Sequence, residues 1–357
     1  MSFSFLLHGH DTVHCAYYLQ RTSGHGVDFE MLTLEKEKLR QSKMRDPKHI
    51  NLGGMDFLLH GYGSSSGFPF VISNRDFNIQ LGENNTPNFY VTFPSEALWR
   101  KSVYQLHAEF MEWASALGYC EYKSESLSRV DFSFDYHVPE IDFDEDSFIS
   151  LSSKDSQYRQ EGVVQTFNIG KGDIVLRVYN KIDEIEQKSE KVWFFDLWNE
   201  SENVWRIEWQ VRKDKLRRFG IRTFSDLSQL EGDLLRYLAT EHTTLRIKAN
   251  DSNRSRWPLH PLWIDLQDKI ENMNCLGVDK CFDEDALLEE KELRIAISMY
   301  GYMKRIAALY CLRKGSDMVS KSEAIVQLDW LLSKVHDPLS WQTDVKKKTT
   351  QMRLGKW

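Results

Sequence analysis

The chain has 357 residues, 41% hydrophobic and 13% aromatic, with a formal net charge of −7. This length and apolar content exclude a disordered chain and suit two folded domains. The negative charge excludes a protein that coats nucleic acid without specificity; it leaves site-specific DNA binding open, because charge distribution matters more than the sum. No run of about eighteen apolar residues is present, so no membrane span is expected, and the opening Met1–His10 lacks the basic and apolar regions of a secretory signal. Five scattered cysteines (15, 120, 275, 281, 311) lack zinc spacing and read as reduced thiols of a cytoplasmic protein.

In chain order, a mixed opening segment is followed by a predicted helix over Phe29–Lys43. The opening Phe5-Leu-Leu-His-Gly is echoed at Phe57-Leu-Leu-His-Gly, which reads as two similar strands rather than a duplication. Gly61-Tyr-Gly-Ser-Ser-Ser-Gly lacks the lysine and spacing of a phosphate-cradling loop and reads as a hairpin tip. Strands are predicted at Phe68–Ile72, Phe77–Leu81 and Phe89–Phe93, split by turn residues. A helix capped by Ser95 is predicted to about Leu117, with Leu98, Val103, Leu106, Phe110 and Trp113 on one stripe.

Three alternating segments follow. In Ser128–Asp135, Val130, Phe132 and Phe134 share one face and Arg129, Asp131, Ser133 and Asp135 the other. In Ile174–Lys181, which pairs with Val163–Asn168 across the turn Gly170-Lys-Gly-Asp, Leu176 and Val178 oppose Arg177, Tyr179 and Lys181. In Val204–Arg212, Trp205, Ile207, Trp209 and Val211 oppose Arg206, Glu208, Gln210 and Arg212. The stretch 206–222 is basic, with Lys213, Lys215, Arg217 and Arg218 among its members.

Beyond residue 223 the pattern turns helical, at Phe224–Thr244, Glu284–Arg313 and Glu323–Val335. Trp257–Trp263 reads as a rigid connector, and Lys346–348, Arg353 and Lys356 form a basic tail. The stripe Leu288, Leu293, Ile297, Tyr300, Met303, Ile306 and Leu309 is expected to be core. The expected fold is α+β: an antiparallel sheet domain over residues 1–222 with helices on one face, then a mainly helical domain over 223–357.

Alternating charge is ordinary on a half-exposed sheet, where cross-strand pairs contribute about 0.2–1 kcal/mol each. The same face also suits phosphoryl chemistry. Mg²⁺ or Mn²⁺ prefers oxygen ligands and is often held by one or two carboxylates with a substrate phosphate, a need met by Asp131, Asp135 and Glu208. Tyr179 is a candidate nucleophile, and Arg177 and Lys181 on its face would stabilise a phenolate. Arg206 and Arg212 are candidates to hold flanking phosphates.

The ordered set Ser128-Arg-Val-Asp…Asp135, Phe167-Asn-Ile-Gly…Leu176-Arg-Val-Tyr-Asn-Lys181 and Trp205-Arg-Ile-Glu208…Arg212 resembles the replication initiation factor family. That family includes rolling-circle initiators of staphylococcal plasmids, relaxases of conjugative elements and replication proteins of filamentous vibriophages. The resemblance covers about residues 50–222.

It implies a metal-dependent endonuclease that nicks one strand of origin DNA in the cytoplasm of a bacterial host and stays joined to the 5′ phosphate through tyrosine. Tyr179 falls on that tyrosine, with Arg177 and Lys181 beside it. Asp131, Glu208 and Asp135 fall on the acidic positions for Mg²⁺ or Mn²⁺. Arg129, Arg206, Arg212, Lys213, Lys215, Arg217 and Arg218 are the expected DNA contacts. A host helicase and a second copy of the chain are possible partners.

The turn Gly170-Lys-Gly-Asp departs from the family's Ser-rich turn, and His8-Gly-His10 has the spacing of a metal pair but a glycine centre. The rival readings are a conjugative relaxase with the same chemistry, a metal nuclease using water, and a catalytically inactive DNA-binding regulator.

Overall fold

The computed structural model describes residues 3–22, 26–42, 47–152, 155–160, 163–189, 191, 193–273 and 284–353. The chain divides into two compact units, Met1–Cys281 and Phe282–Trp357.

The first unit is built on eleven strands: β1 (Ser4–Arg21), β2 (Lys48–Leu52), β3 (Met55–Leu59), β4 (Phe70–Ser73), β5 (Asn78–Leu81), β6 (Phe89–Phe93), β7 (Tyr119–His137), β9 (Asp155–Gln160), β10 (Val163–Ile169), β11 (Ile174–Asn180) and β12 (Val204–Arg212). Their order in the sheet is β2-β3-β4-β5-β6-β1-β7-β12-β11-β10-β9, and the pairings are antiparallel. Two short strands, β8 (Phe148–Ser150) and β13 (Thr243–Leu245), form a separate ribbon. The fold is α+β. The echoed Phe-Leu-Leu-His-Gly segments lie on β1 and across the end of β3, which stops at Leu59.

The β10–β11 hairpin turns at Gly170, whose φ of 98° suits glycine, and where a Cβ would lie 2.5 Å from the carbonyl oxygen of Ile174.

Helices α1 (Phe29–Gln41), α2 (Ser95–Arg100), α3 (Val103–Ala116), α4 (Lys181–Glu184), α5 (Trp193–Trp198), α6 (Lys213–Arg218), α7 (Phe224–Tyr237) and α8 (Pro261–Glu271) complete the first unit. The expected helix from Ser95 to Leu117 is two helices. Lys101 is extended, and Ser102 caps α3 by accepting from the Gln105 N–H. Ser95 opens α2, and its hydroxyl donates to Asp11 instead of capping. Residue Lys43, at the expected end of α1, lies outside the described residues.

Helix α4 is followed by a π-helical turn, Ile185–Ser189. The expected helix over 224–244 is α7, a π-helical turn (Leu238–His242) and β13. The expected connector 257–263 runs into α8, which His260 caps and Pro261 opens.

One face of the sheet is apolar and carries most of the helices. On α3, Phe110 packs on Phe77 and Phe89, and Trp113 on Phe57. On α8, Trp263 meets Trp209 at 5.8 Å between ring centroids, and Phe224 of α7 meets Phe93. These contacts explain where the first unit ends. Leu227, Leu234, Leu235, Trp263, Leu266 and Ile270 are buried in the same core as Phe134, Ile207 and Trp209. The boundary expected after residue 222 therefore falls inside the first unit, because the sheet's apolar face is covered by helices that come later in the sequence.

The second unit contains α9 (Glu284–Lys314), α10 (Lys321–Ser333) and α11 (Pro338–Arg353). Ser320 and Glu323 form a reciprocal cap at the start of α10. Of the stripe expected to be core, Met303 is buried, while Leu293, Ile297, Tyr300 and Leu309 are exposed. No helix among the described residues is long and apolar enough to cross a membrane.

Candidate active site

The second face of the central strands gathers the polar residues. Strands β1, β7, β12 and β11 are neighbours, and their registers place this face's positions in rows. The first row is Leu7, Asp135, Arg206 and Tyr179; the second is Gly9, Ser133, Glu208 and Arg177; the third is Thr12, Asp131, Gln210 and Val175; the fourth is His14, Arg129 and Arg212. Asp131, Tyr179 and Glu208 thus project from one face of one sheet.

The first row is roofed. Trp99 of α2 lies 5.7 Å from the Arg206 guanidinium and extends over Gly9 at the β1 end of the second row, where a Cβ would come 3.0 Å from the indole. Phe194 and Trp198 of α5 close the rest: the Arg206 guanidinium sits 4.5 Å from the Phe194 ring centroid, and the Trp198 indole N–H donates to Asp135 at 2.9 Å. Beneath this roof Arg206 is fully buried. It donates to both carboxylate oxygens of Asp135, at 2.6 and 2.8 Å, and to Asp11 at 2.6 Å. Burial alone would raise Asp11, but Arg206, Lys191, Lys181 and the Ser95 hydroxyl together hold it well below the usual carboxylate range.

The second and third rows hold two carboxylates, each engaged by an arginine. The Tyr179 hydroxyl donates to Glu208 Oε2 at 2.9 Å, and Arg177 Nη1 donates to Glu208 Oε1 at 2.8 Å. Arg129 grips Asp131 with two nitrogens, Nε at 2.8 Å from Oδ1 and Nη2 on Oδ2. Asp131 and Glu208 are buried, while the side chains of Arg129 and Arg177 keep 29% and 32% of their surface. The arginines therefore lie between the carboxylates and solvent.

Burial first, then the negative charge of Glu208, push Asp131 up to about 6 against the pull of Arg129. Burial and Glu208 also raise the Tyr179 phenol well above its usual value, with Arg206 opposing. Lys181 is buried beside Tyr179, 5.5 Å from its ring centroid, and pairs with Glu184 at 2.5 Å. Its pKa is lowered by burial first and by Arg206 next.

Gln210 occupies the third row between the two arginine–carboxylate pairs. Its Oε1 accepts from Arg177 Nη2 at 3.0 Å, and its buried Nε2 has no hydrogen-bond partner among the described residues. An unpaired buried donor costs about 1–3 kcal/mol.

The expected site residues separate into groups. Tyr179, Glu208, Arg177, Asp131 and Arg129 come together. Asp135 and Arg206 are spent on each other under the roof, and neither presents a free face. Arg212 is exposed at the end of β12, in register opposite Arg129. In α6, Arg217 and Arg218 are exposed and Lys213 is half-buried, while Lys215 donates to the Tyr237 hydroxyl at 3.1 Å and lies over that ring at 4.2 Å. His8 and His10 fall on the helix-covered face, where His8 stacks on Phe134 and His10 meets Glu231 at 3.1 Å.

Two residues were not singled out by sequence reasoning. Asp11 sits at an irregularity between His10 and Thr12 in β1, and its signal is that it is the one acid of that strand. Gln210 is neutral and gave no signal beyond its shared face.

Among the described residues, no group of three or more His, Cys, Asp or Glu is arranged to hold a metal ion by itself. Asp131 and Glu208 nevertheless suit a hard divalent cation that takes its remaining oxygens from water and a phosphate, the usual habit of Mg²⁺. In the structure each of these carboxylates is engaged by its arginine.

No family model matches the chain, and no curated protein matches it. Among solved structures, the chain is similar to the rolling circle replication initiator protein from Geobacillus stearothermophilus, at 17% identity and a TM-score of 0.47, over 76% of this chain and 98% of that one.

Proposed function

We propose that the chain initiates rolling-circle replication by nicking one strand of origin DNA through Tyr179. The observation that carries this reading is the hydrogen bond from the Tyr179 hydroxyl to Glu208, on the sheet face that also holds Asp131, Arg129 and Arg177. The motif resemblance around those same residues supports it.

In this reading Glu208 Oε2 takes the phenol proton as the Tyr179 oxygen attacks phosphorus. An O–P bond to tyrosine forms, the P–O3′ bond breaks, and the 3′ oxygen leaves and takes a proton from water. The products are a 5′-phosphotyrosyl link and a 3′-OH that a polymerase extends. Arg129 and Arg177 hold the phosphate oxygens, and Arg212, Arg217 and Arg218 hold flanking phosphates. Asp131 and Glu208 would hold Mg²⁺ or Mn²⁺, which when bound supplies Lewis-acid polarisation of the phosphoryl group. Asp135 and Arg206 build the sheet beneath the nucleophile. Lys181 adds positive charge beside the phenol. Origin DNA is the proposed partner, and a bacterial replicon, phage or plasmid, the proposed context.

The test is cleavage of labelled single-stranded origin DNA with Mn²⁺. The wild-type chain is expected to leave an SDS-resistant adduct and Tyr179→Phe none. Cleavage that survives Tyr179→Phe would point to water as nucleophile. A second reading, DNA binding without cleavage, draws on the burial of Tyr179, which is 9% exposed. Binding without any adduct on the correct origin would favour it.

A further inference from the structure

We infer that Arg129 and Arg177 are exchangeable caps, which occupy the two candidate ligand carboxylates until phosphate arrives and so make divalent-cation binding follow DNA binding. This rests on the nicking reading for the identity of the site and goes beyond it in assigning an order of binding.

Three features on the same face carry it. Each carboxylate has its own arginine: Arg129 grips Asp131 with two nitrogens, and Arg177 holds Glu208 at 2.8 Å. A cation approaching either carboxylate meets a guanidinium already in place, and two like charges in one partly desolvated site repel strongly. Both arginines are partly exposed, unlike the fully buried Arg206, so they have room to turn toward a phosphate, an acceptor a guanidinium fork also matches.

The third feature is Gln210. It is 2% exposed, and its Nε2 has no acceptor among the described residues. Gln210 stands directly opposite Asp131 in the β12–β7 register, and its Oε1 is turned to Arg177 of β11 on its other side. When Arg129 leaves, Asp131 becomes an acceptor next to a donor that lacks one. Gln210 is then a positioning residue that steadies Asp131 in the open arrangement, while its Oε1 registers whether Arg177 is in place.

The experiment measures Mn²⁺ binding to the full chain from the loss of the free-Mn²⁺ electron paramagnetic resonance signal, with Mn²⁺ alone and with oligothymidylate added. Without DNA, Arg129→Gln and, independently, Arg177→Gln are expected to bind Mn²⁺ about tenfold more tightly than wild type. The gain is expected to vanish in Arg129→Gln/Asp131→Asn. Oligothymidylate is expected to tighten Mn²⁺ binding by wild type and to change it little in the arginine variants. Folded arginine variants that bind Mn²⁺ no better than wild type overturn the inference. That result with an intact Tyr179 adduct would leave the nicking reading standing. Tighter Mn²⁺ binding in the variants with no adduct from wild type would do the reverse.

Discussion

Tyr179 donates its hydroxyl proton to Glu208 at 2.9 Å, and the two residues come from adjacent strands one row apart. The phenol is buried and its ionisation disfavoured, so the carboxylate that accepts its hydrogen bond is also the base within reach. Glu208→Gln keeps the shape and removes the base. It is expected to cut single-turnover strand cleavage by about 10²–10⁴-fold while leaving DNA affinity within a few-fold of wild type. Rapid-quench cleavage and filter binding measure the two separately, and a parallel loss of both would make Glu208 a binding residue instead.

Arg206 and Asp135 answer to a different measurement. Arg206→Met leaves Asp135 and Asp11 buried without their cation, and breaking a buried pair in this way costs about 3–5 kcal/mol. Urea denaturation is expected to show that loss. A variant as stable as wild type but unable to bind DNA would return Arg206 to the phosphate-contacting group.

The edge of the sheet unit is tested by fragments. A chain ending at residue 222 loses Trp263 from above Trp209, together with the buried leucines of α7, and is expected to aggregate or to lack dispersed NMR signals. A chain ending at residue 281 keeps those contacts and is expected to unfold cooperatively. A cooperative fold in the shorter fragment would move the boundary back to 222.

How far the sequence led can be judged from these residues. Strand periodicity placed Asp131, Tyr179 and Glu208 on one face because every central strand keeps strict alternation from residue 129 to 135, 174 to 179 and 204 to 212. It did not separate Glu208 from Arg206, although Arg206 lies against Trp99 and Phe194 while Glu208 pairs with Arg177. The roof comes from Trp99, Phe194 and Trp198, which are distant in sequence, and burial by distant elements leaves no local pattern. The helical stretch after residue 223 was legible as helix. Its attachment to the sheet was not, because an amphipathic stripe shows that a face is buried without showing against what.

Stability is expected to fall with pH between about 6.5 and 4. Burial first, then Arg129 and Arg212, push His14 down to about 4, and burial followed by Lys215 does the same to His242. In that window the unfolded chain takes up protons that the native imidazoles refuse, so native stability is complete above 6.5 and declines as pH drops. Asp131 works in the opposite sense between 3.8 and about 6, since its native carboxyl keeps a proton that the unfolded one releases. His8, His60 and His107, also lowered by burial, act with His14 and His242, and Glu121 and Asp183, raised by burial, act with Asp131; the histidines prevail, and stability is expected to be lower at pH 5 than at pH 7. Urea titrations at the two pH values measure it, and His242→Gln is expected to shrink the difference. Equal stability at both pH values would mean that the histidines are charged in the fold.

The central claim is that one tyrosine becomes joined to DNA. Its most direct measurement is mass spectrometry of the proteolysed protein–DNA adduct formed with single-stranded origin DNA and Mn²⁺. The predicted result is a nucleotide 5′-phosphate on the peptide that contains Tyr179. A phosphate on another tyrosine, or cleaved DNA with no modified peptide, would contradict it.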